Sequence, residues 1–367
     1  GSYGFPESHA ASFALIAYAS SWIKCHHPAV FCAALLNAQP MGFYAPAQIV
    51  RDARDHAVEV RAVDVNRSRW DCTIEDGAVR LGLRMAKGLA DQDGIAIVTR
   101  RGEHPYTTVD ELWRRAGVPV AALERLAEAD AYGSLDQDRR AALWAIRALA
   151  DRALPLFVAA ERGAPEPEIV EPPVVLNPML PGREVVEDYG SIGLTLRQHP
   201  VAFLRPELTQ RGMITCAGLD SVRDGRRVVV PGLVLVRQKP GSAKGVMFIT
   251  TEDETGIANL ILWPSLFERQ RRLVLTATMI ACRGRVQKES GVTHVIAEEL
   301  IDLSDLLRSV GDRDNPFPLR HGRGDGATHP GSPDRGDLPP VPPKPRDIYI
   351  PDLLLGSGIK VPTRDFR

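Results

Sequence analysis

The sequence predicts a multidomain α+β chain: a mostly helical first part, then a five-stranded β-barrel, then a tail. Three observations carry this. Residues 8–56 and 81–149 place apolar residues at helical spacing. Residues 214–303 switch to short β-type runs divided by turn residues. Residues 155–181 and 313–346 lose periodicity and fill with proline, glycine and charge. A chain of 367 residues has room for about two to four domains of roughly 100–200 residues. Its hydrophobic content of 44% and charged content of 25% suit packed globular cores. A formal net charge of −1 gives no general attraction to polyanions, so any basic surface must be local. No apolar run reaches the ~18 residues of a membrane span, and no signal peptide is visible. Five scattered cysteines (Cys25, Cys32, Cys72, Cys216 and Cys282) never form a Cys-x-x-Cys pair, which argues against structural zinc or a disulfide framework. A bacterial cytoplasm fits, without a membrane partner.

The chain opens on Tyr3-Gly4-Phe5-Pro6-Glu7-Ser8-His9, runs straight into an apolar helix and has no initiating methionine. It therefore reads as a piece of a longer protein. Ser8 suits an N-cap, and Phe13, Leu15, Ile16, Tyr18, Trp22 and Ile23 make the helix apolar nearly all round. Pro28 ends it, because the residue before a proline avoids the α region. Further helices are expected over 29–37 and 46–56, and Val58 to Val63 alternates like a short strand before the turn Asp64-Val65-Asn66-Arg67-Ser68. Helices are again expected over 110–116 and 120–129, and the 155–181 stretch reads as a linker.

The β-type runs begin at Val228, Leu233, Val246, Ala258, Met279 and Val292, with a helix from Ser265 to Leu273. Five strands with a helix after the third is the order of an OB barrel, a fold that binds single strands across strands 2–3 and the loops joining strands 1–2 and 4–5. Arg237, Lys239 and Lys244 fall in the first loop region, and Arg283, Arg285 and Lys288 in the second. Phe248 and Trp263 offer stacking surfaces. The competing reading, that they fill the barrel interior, is favoured for these aromatics because small barrels need large interior side chains.

Leu81-Gly82-Leu83-Arg84-Met85-Ala86-Lys87-Gly88-Leu89 has the look of a helix-hairpin-helix unit. Such a hairpin turns backbone N–H groups and a helix N-terminus toward phosphate, with Arg84, Lys87 and Gly88 as the expected contacts. A plain packing unit is the alternative. His9, His26 and His27 lack acidic or cysteine neighbours at ligand spacing, so no metal site is expected. Glu252-Asp253-Glu254 reads as a solvated turn between strands 2 and 3. No phosphate loop, nucleophile elbow or other catalytic set is present.

Taken together, the opening motif through His27-Pro28-Ala29, the Asp64–Ser68 turn, the Gly82–Leu89 hairpin and the barrel occur in the order of the bacterial polymerase III alpha-subunit (C-family) DNA polymerases, and the chain resembles that family. The Pro6-Glu7-Ser8-His9 form and the ending Ile350-Pro351-Asp352-Leu353-Leu354-Leu355-Gly356-Ser357-Gly358-Ile359-Lys360-Val361 are similar to its error-prone branch, used in DNA-damage mutagenesis and translesion synthesis. The resemblance implies a C-terminal portion made of part of the fingers (1–79), a helix-hairpin-helix region (80–154), a connecting segment (155–212), the OB domain (213–305) and a partly disordered loop and tail (306–367). It also implies that the catalytic palm and its Mg²⁺ lie upstream, so no catalytic residue, metal or cofactor is expected in this chain. Ser8 and His9 match the fingers motif near incoming nucleotide and template, and Glu7 stands where replicative members commonly carry lysine. Gln198-His199-Pro200-Val201-Ala202-Phe203-Leu204 sits where replicative members bind the sliding clamp but fits that peptide poorly. It reads as a structural segment. The implied partners are primer–template and single-stranded DNA, the clamp indirectly, and Y-family-polymerase-like and RecA-like mutagenesis proteins. From a different class, the barrel and tail would serve mainly as a protein-interaction module, which the near-neutral charge favours. A stand-alone single-strand-binding protein is a third option, set back by the abrupt start.

Overall fold

The computed structural model describes residues 7–41, 44–149, 176–289 and 291–311. The expectations for the heart of the linker, the 313–346 loop and the terminal motif lie outside them. Helix α1 (Glu7–His26) is followed by α2 (Pro28–Asn37) and α3 (Pro46–Asp55), the last two each opening on a proline whose missing N–H costs nothing at a helix start. Helix α1 begins at Glu7, so Ser8 lies within its first turn rather than capping it. Phe13, Leu15 and Tyr18 of α1 are exposed, at 57%, 69% and 73%.

A small sheet follows, built from β1 (Val60–Arg61), β2 (Thr73–Glu75) and β3 (Ala78–Arg80). Strands β2 and β3 form an antiparallel hairpin, and β1 joins β3 in parallel. Asp76 and Gly77 both take positive φ, the demand of a tight two-residue turn. Four helices complete this body: α4 (Asp91–Arg101), α5 (Val109–Ala116), α6 (Val120–Glu128) and α7 (Arg139–Ala148). Their shared core holds Leu81, Leu83, Ile97, Leu112, Leu123, Leu126, Tyr132 and Ile146, none of them reached by solvent.

Helix α8 (Pro181–Ser191), a 3-10 segment over Pro200–Leu204 and α9 (Arg205–Gln210) connect the body to the barrel. Val185, Tyr189, Val201, Leu204 and Leu208 pack with Leu233, Met279 and Ala281 of the barrel wall and with Leu307 of α12 (Ser304–Arg308). From Pro181 onward the connecting segment is therefore packed structure, with apolar residues buried against the barrel.

The barrel is β4 (Arg227–Gln238), β5 (Met247–Glu252), β6 (Ile257–Leu262), β7 (Met279–Glu289) and β8 (Val292–Asp302). They close in the order β4-β5-β6-β8-β7, with β6 and β8 parallel at the seam. The two runs from Val228 and Leu233 are one strand, β4, bent at a bulge between Val234 and Val236. Gly284 sits at the β7–β8 register shift, where a Cβ would meet the Ile296 carbonyl oxygen at 2.2 Å. Short helices α10 (Pro264–Arg269) and α11 (Arg271–Thr276) plug one end with Leu266, Phe267 and Val274. This is the predicted OB order, helix included.

Candidate nucleic-acid interface

The helix-hairpin-helix unit expected from 81–89 onward opens with only a 3-10 turn, at Leu83–Met85, ahead of α4. Gly82 presses on the chain at Trp70–Asp71, where a Cβ would lie 2.4 Å from the Trp70 carbonyl oxygen, and Ala86 is already extended. Gly88, exposed at φ +83°, turns the chain into α4. The two cations expected to reach phosphate are used inside the protein. Lys87 Nζ donates to the carbonyls of Tyr189 (2.5 Å) and Gly190 (2.8 Å), completing the C-terminus of α8 where a positive charge is favoured. Arg84 pairs with Asp71 at 2.6 Å. Asp91 and Asp93 occupy the first turn of α4, which suits the helix dipole and repels phosphate.

A second hairpin was not read from the sequence, although both of its helices were. Thr108 caps α5 by accepting from the Glu111 N–H at 3.0 Å. Gly117 then ends α5 in the left-handed region, and Pro119 leads directly into α6. The first turn of α6 carries no acidic residue. The signal was Gly117-Val118-Pro119 between two amphipathic runs. The hairpins are neighbours, since a Cβ at Gly88 would meet Arg125 of α6 at 3.4 Å.

On the barrel, Phe248 alternates with the buried Met247 and Ile249, so it points outward and is partly buried. The interior reading favoured for it is thereby corrected. Trp263, at the entry of α10, is 52% exposed. Lys239 places Nζ over the Phe267 ring at 4.4 Å, and Lys244 is exposed in the loop after β4. Arg237 differs. Its Nε donates to the Val274 carbonyl at 2.5 Å and its Nη2 to that of Ala277, and burial pulls its pKa down to about 10. It fastens α11 to β4 and is not a surface cation. Arg283, Arg285 and Lys288 lie on strand β7 and not in the loop after it. Arg283 pairs with Glu299 (2.7 Å) and Arg285 with Glu298 (3.0 Å), while Lys288 Nζ donates to the Asp220 carbonyl at 2.7 Å. In α1, the His9 ring packs on Phe13 at 4.4 Å.

Comparison with known proteins fits this geometry. A helix-hairpin-helix motif model matches residues 57–142, which include both hairpins, and an OB-fold nucleic acid binding domain model matches residues 228–303. The chain is 58% identical, over its full length, to 35% of Error-prone DNA polymerase 2 of Rhizobium meliloti (strain 1021). It is 61% identical, over 91% of its length, to 32% of Error-prone DNA polymerase 1 of Agrobacterium fabrum (strain C58 / ATCC 33970). The chain resembles the error-prone DNA polymerases. It spans about a third of the length of these relatives. Among solved structures, asparaginyl-tRNA synthetase from Pyrococcus horikoshii aligns with 24% of this chain and 22% of its own, at 20% identity and a TM-score of 0.22.

In this relative of the error-prone polymerases the barrel is locked to the helical body by the acidic turn that was expected to be solvated. Asp253 is fully buried, accepting from the backbone N–H groups of Cys216 (2.8 Å), Thr255 (2.8 Å) and Gly256 (3.1 Å) and from Arg205 (2.8 Å). Glu252 meets Arg51 of α3 at 2.8 Å and His199 at 3.1 Å, and Glu254 meets Arg205 at 2.5 Å. Burial pushes the Glu252 carboxyl up, but the His199 hydrogen bond and the Arg51 charge outweigh it and hold it below the usual range. Asp253 behaves alike: burial raises it, and the Thr255 and Cys216 hydrogen bonds with Arg205 bring it down. A second buried set, Arg139 with Glu184 and with Asp188 (2.7 Å), ties α7 to α8. His199 also accepts from the Val201 N–H at 3.2 Å, which makes the 198–204 stretch part of the joint. Among the described residues no group of His, Cys, Asp and Glu side chains forms a metal site, and no helix is long and apolar enough to cross a membrane.

Proposed function

We propose that this chain is the DNA-positioning portion of an error-prone DNA-directed DNA polymerase, used in translesion synthesis and damage-induced mutagenesis. The observation that carries this is the order of two hairpins and an OB barrel on one body, in a chain 58% identical to such polymerases over its full length. Phosphoryl transfer with Mg²⁺ belongs to other residues of the longer protein. In this reading the hairpins hold primer–template duplex and the barrel holds single-stranded template. Within the hairpins, the second bears on duplex more than the first, because α6 offers its N-terminal dipole without the carboxylates that guard α4. On the barrel, Phe248, Trp263, Lys239 and Lys244 supply stacking and charge. The joint keeps the two grips in a fixed relation.

The test is a pair of substitutions, Phe248→Ala and Trp263→Ala, in the full chain. Stacking worth ~1–3 kcal/mol per base predicts a fall of about fivefold or more in single-strand affinity, with duplex affinity unchanged. Equal binding of single strands by wild type and double variant would remove the barrel from the template path.

A second reading makes the barrel a dock for mutagenesis partners, such as Y-family-polymerase-like and RecA-like proteins that bring the sliding clamp indirectly. An apolar cleft of about 690 Å³ between α2, α3 and strands β4–β6, lined by Phe31, Leu35, Leu235, Val236 and Ile257, favours it. Binding by that route is less steep in salt than DNA binding.

A further inference from the structure

The turn at residues 64–68 is satisfied from within. Asp64 accepts from the N–H groups of Asn66 (2.8 Å), Arg67 (3.0 Å) and Ser134 (2.9 Å). The buried Ser68 hydroxyl donates to the Leu81 carbonyl at 2.6 Å and accepts from the Asp64 N–H at 3.0 Å. Asn66 clasps the backbone of Tyr106 with both ends of its amide, at 2.7 and 2.8 Å. From behind, Arg101 Nη1 spans the carbonyls of Val65 (2.8 Å) and Ser68 (2.9 Å), which seats the last turn of α4 on the turn.

Three guanidiniums are left over at the outer edge of this scaffold. Arg67 and Arg69 are exposed on and just after the turn, and Arg100 is exposed on α4 beside the anchored Arg101. Among the described residues none of the three has a carboxylate partner. The acids of the same neighbourhood are engaged: Glu111 with Arg115 at 2.5 Å, Asp110 with Arg114 at 3.1 Å, and Asp71 with Arg84. Clustered like charges repel and lower stability, so a rigid turn that presents them is costly unless an anion meets them. The face adjoins the first hairpin directly, since the Leu83 N–H donates to the Arg69 carbonyl at 2.9 Å.

We propose that Arg67, Arg69 and Arg100 form a second phosphate-contact face, which takes the backbone of duplex DNA alongside the hairpins without reading its sequence. The face rests on the reading that this chain binds DNA. Arginine suits it because its planar fork meets phosphate oxygens in pairs.

The test is the salt dependence of binding to a mixed-sequence primer–template duplex, for the full chain and two triple variants. Arg67→Ala/Arg69→Ala/Arg100→Ala should bind about tenfold or more weakly at about 100 mM salt, and its log–log salt slope should fall by roughly 2–3. The matching lysine variant should recover most of the slope, because charge supplies that term. All three side chains are exposed, so the lysine variant should unfold like wild type and the alanine variant at or slightly above it, because the repulsion is removed. An alanine variant with wild-type affinity and slope would overturn the face, and weakened binding by an Ala121→Asp control in α6 would show the DNA-binding reading intact. Absence of duplex binding by wild type at low salt would overturn both together.

Discussion

The two hairpins of the helical body share a plan and differ in where their charges go. At the first, Lys87 and Arg84 turn inward to the end of α8 and to Asp71, and Asp91 and Asp93 stand at the helix start. At the second, a left-handed Gly117 and Pro119 lead into a helix whose first turn is free of acid. A motif in a sequence therefore marks a backbone shape, and the bonding of its charges decides whether that shape meets a ligand. The barrel teaches the same lesson in reverse, since its most acidic turn is buried at a joint instead of facing water.

The largest effect is expected where charge is most deeply committed. Asp253→Asn removes the buried carboxylate shared by Arg205 and the Cys216, Thr255 and Gly256 N–H groups and leaves Arg205 with Glu254 alone, and breaking such a buried pair costs about 3 kcal/mol. Chemical denaturation should show it, with the barrel–body joint exchanging amide hydrogen fastest. The pH dependence follows from the same groups. Glu252 and Asp253 have folded-state pKa values below their unfolded ones, so their stabilisation is present above the unfolded values and lost as pH falls below them. Stability should therefore fall on acidification below about pH 4, and less steeply in Asp253→Asn. A flat profile for wild type would contradict the joint.

Grafting the first hairpin's acid onto the second is the next test. Ala121 is exposed in the first turn of α6, and Ala121→Asp should stabilise that helix by ~0.3–1 kcal/mol while weakening duplex binding several-fold. Unchanged duplex affinity would place the grip elsewhere. The smallest effect is predicted at the residue that looked most like a DNA contact. Lys87→Met should cost roughly 1 kcal/mol of stability through the end of α8 and leave duplex affinity within about twofold. A large loss of affinity with intact stability would restore Lys87 to the interface.

Much of the architecture was legible. The five strands and the helix after the third could be read because strand alternation and turn residues are local signals. The β2–β3 hairpin was passed over although Asp76-Gly77 marks it, because its strands are only three residues each. The joint was illegible for a different reason. Asp253 depends on Arg205, 48 positions away, and its carbonyl on Arg51, 202 positions away, and no local pattern reports such pairing. Phe248 was misassigned because composition gives a strand's aromatic but not its face; the register to Met247 and Ile249 settles that. Arg237, Arg84 and Lys87 carried the right charge at the right place in the chain, yet backbone carbonyls and Asp71 claim them.

The most direct measurement is fluorescence anisotropy of this chain with primed and single-stranded DNA, titrated from low to physiological salt. The account predicts binding to both, insensitive to sequence and falling steeply with salt, with a slope that reports several phosphate contacts. Absent or salt-independent binding would contradict a DNA grip built from hairpins and barrel.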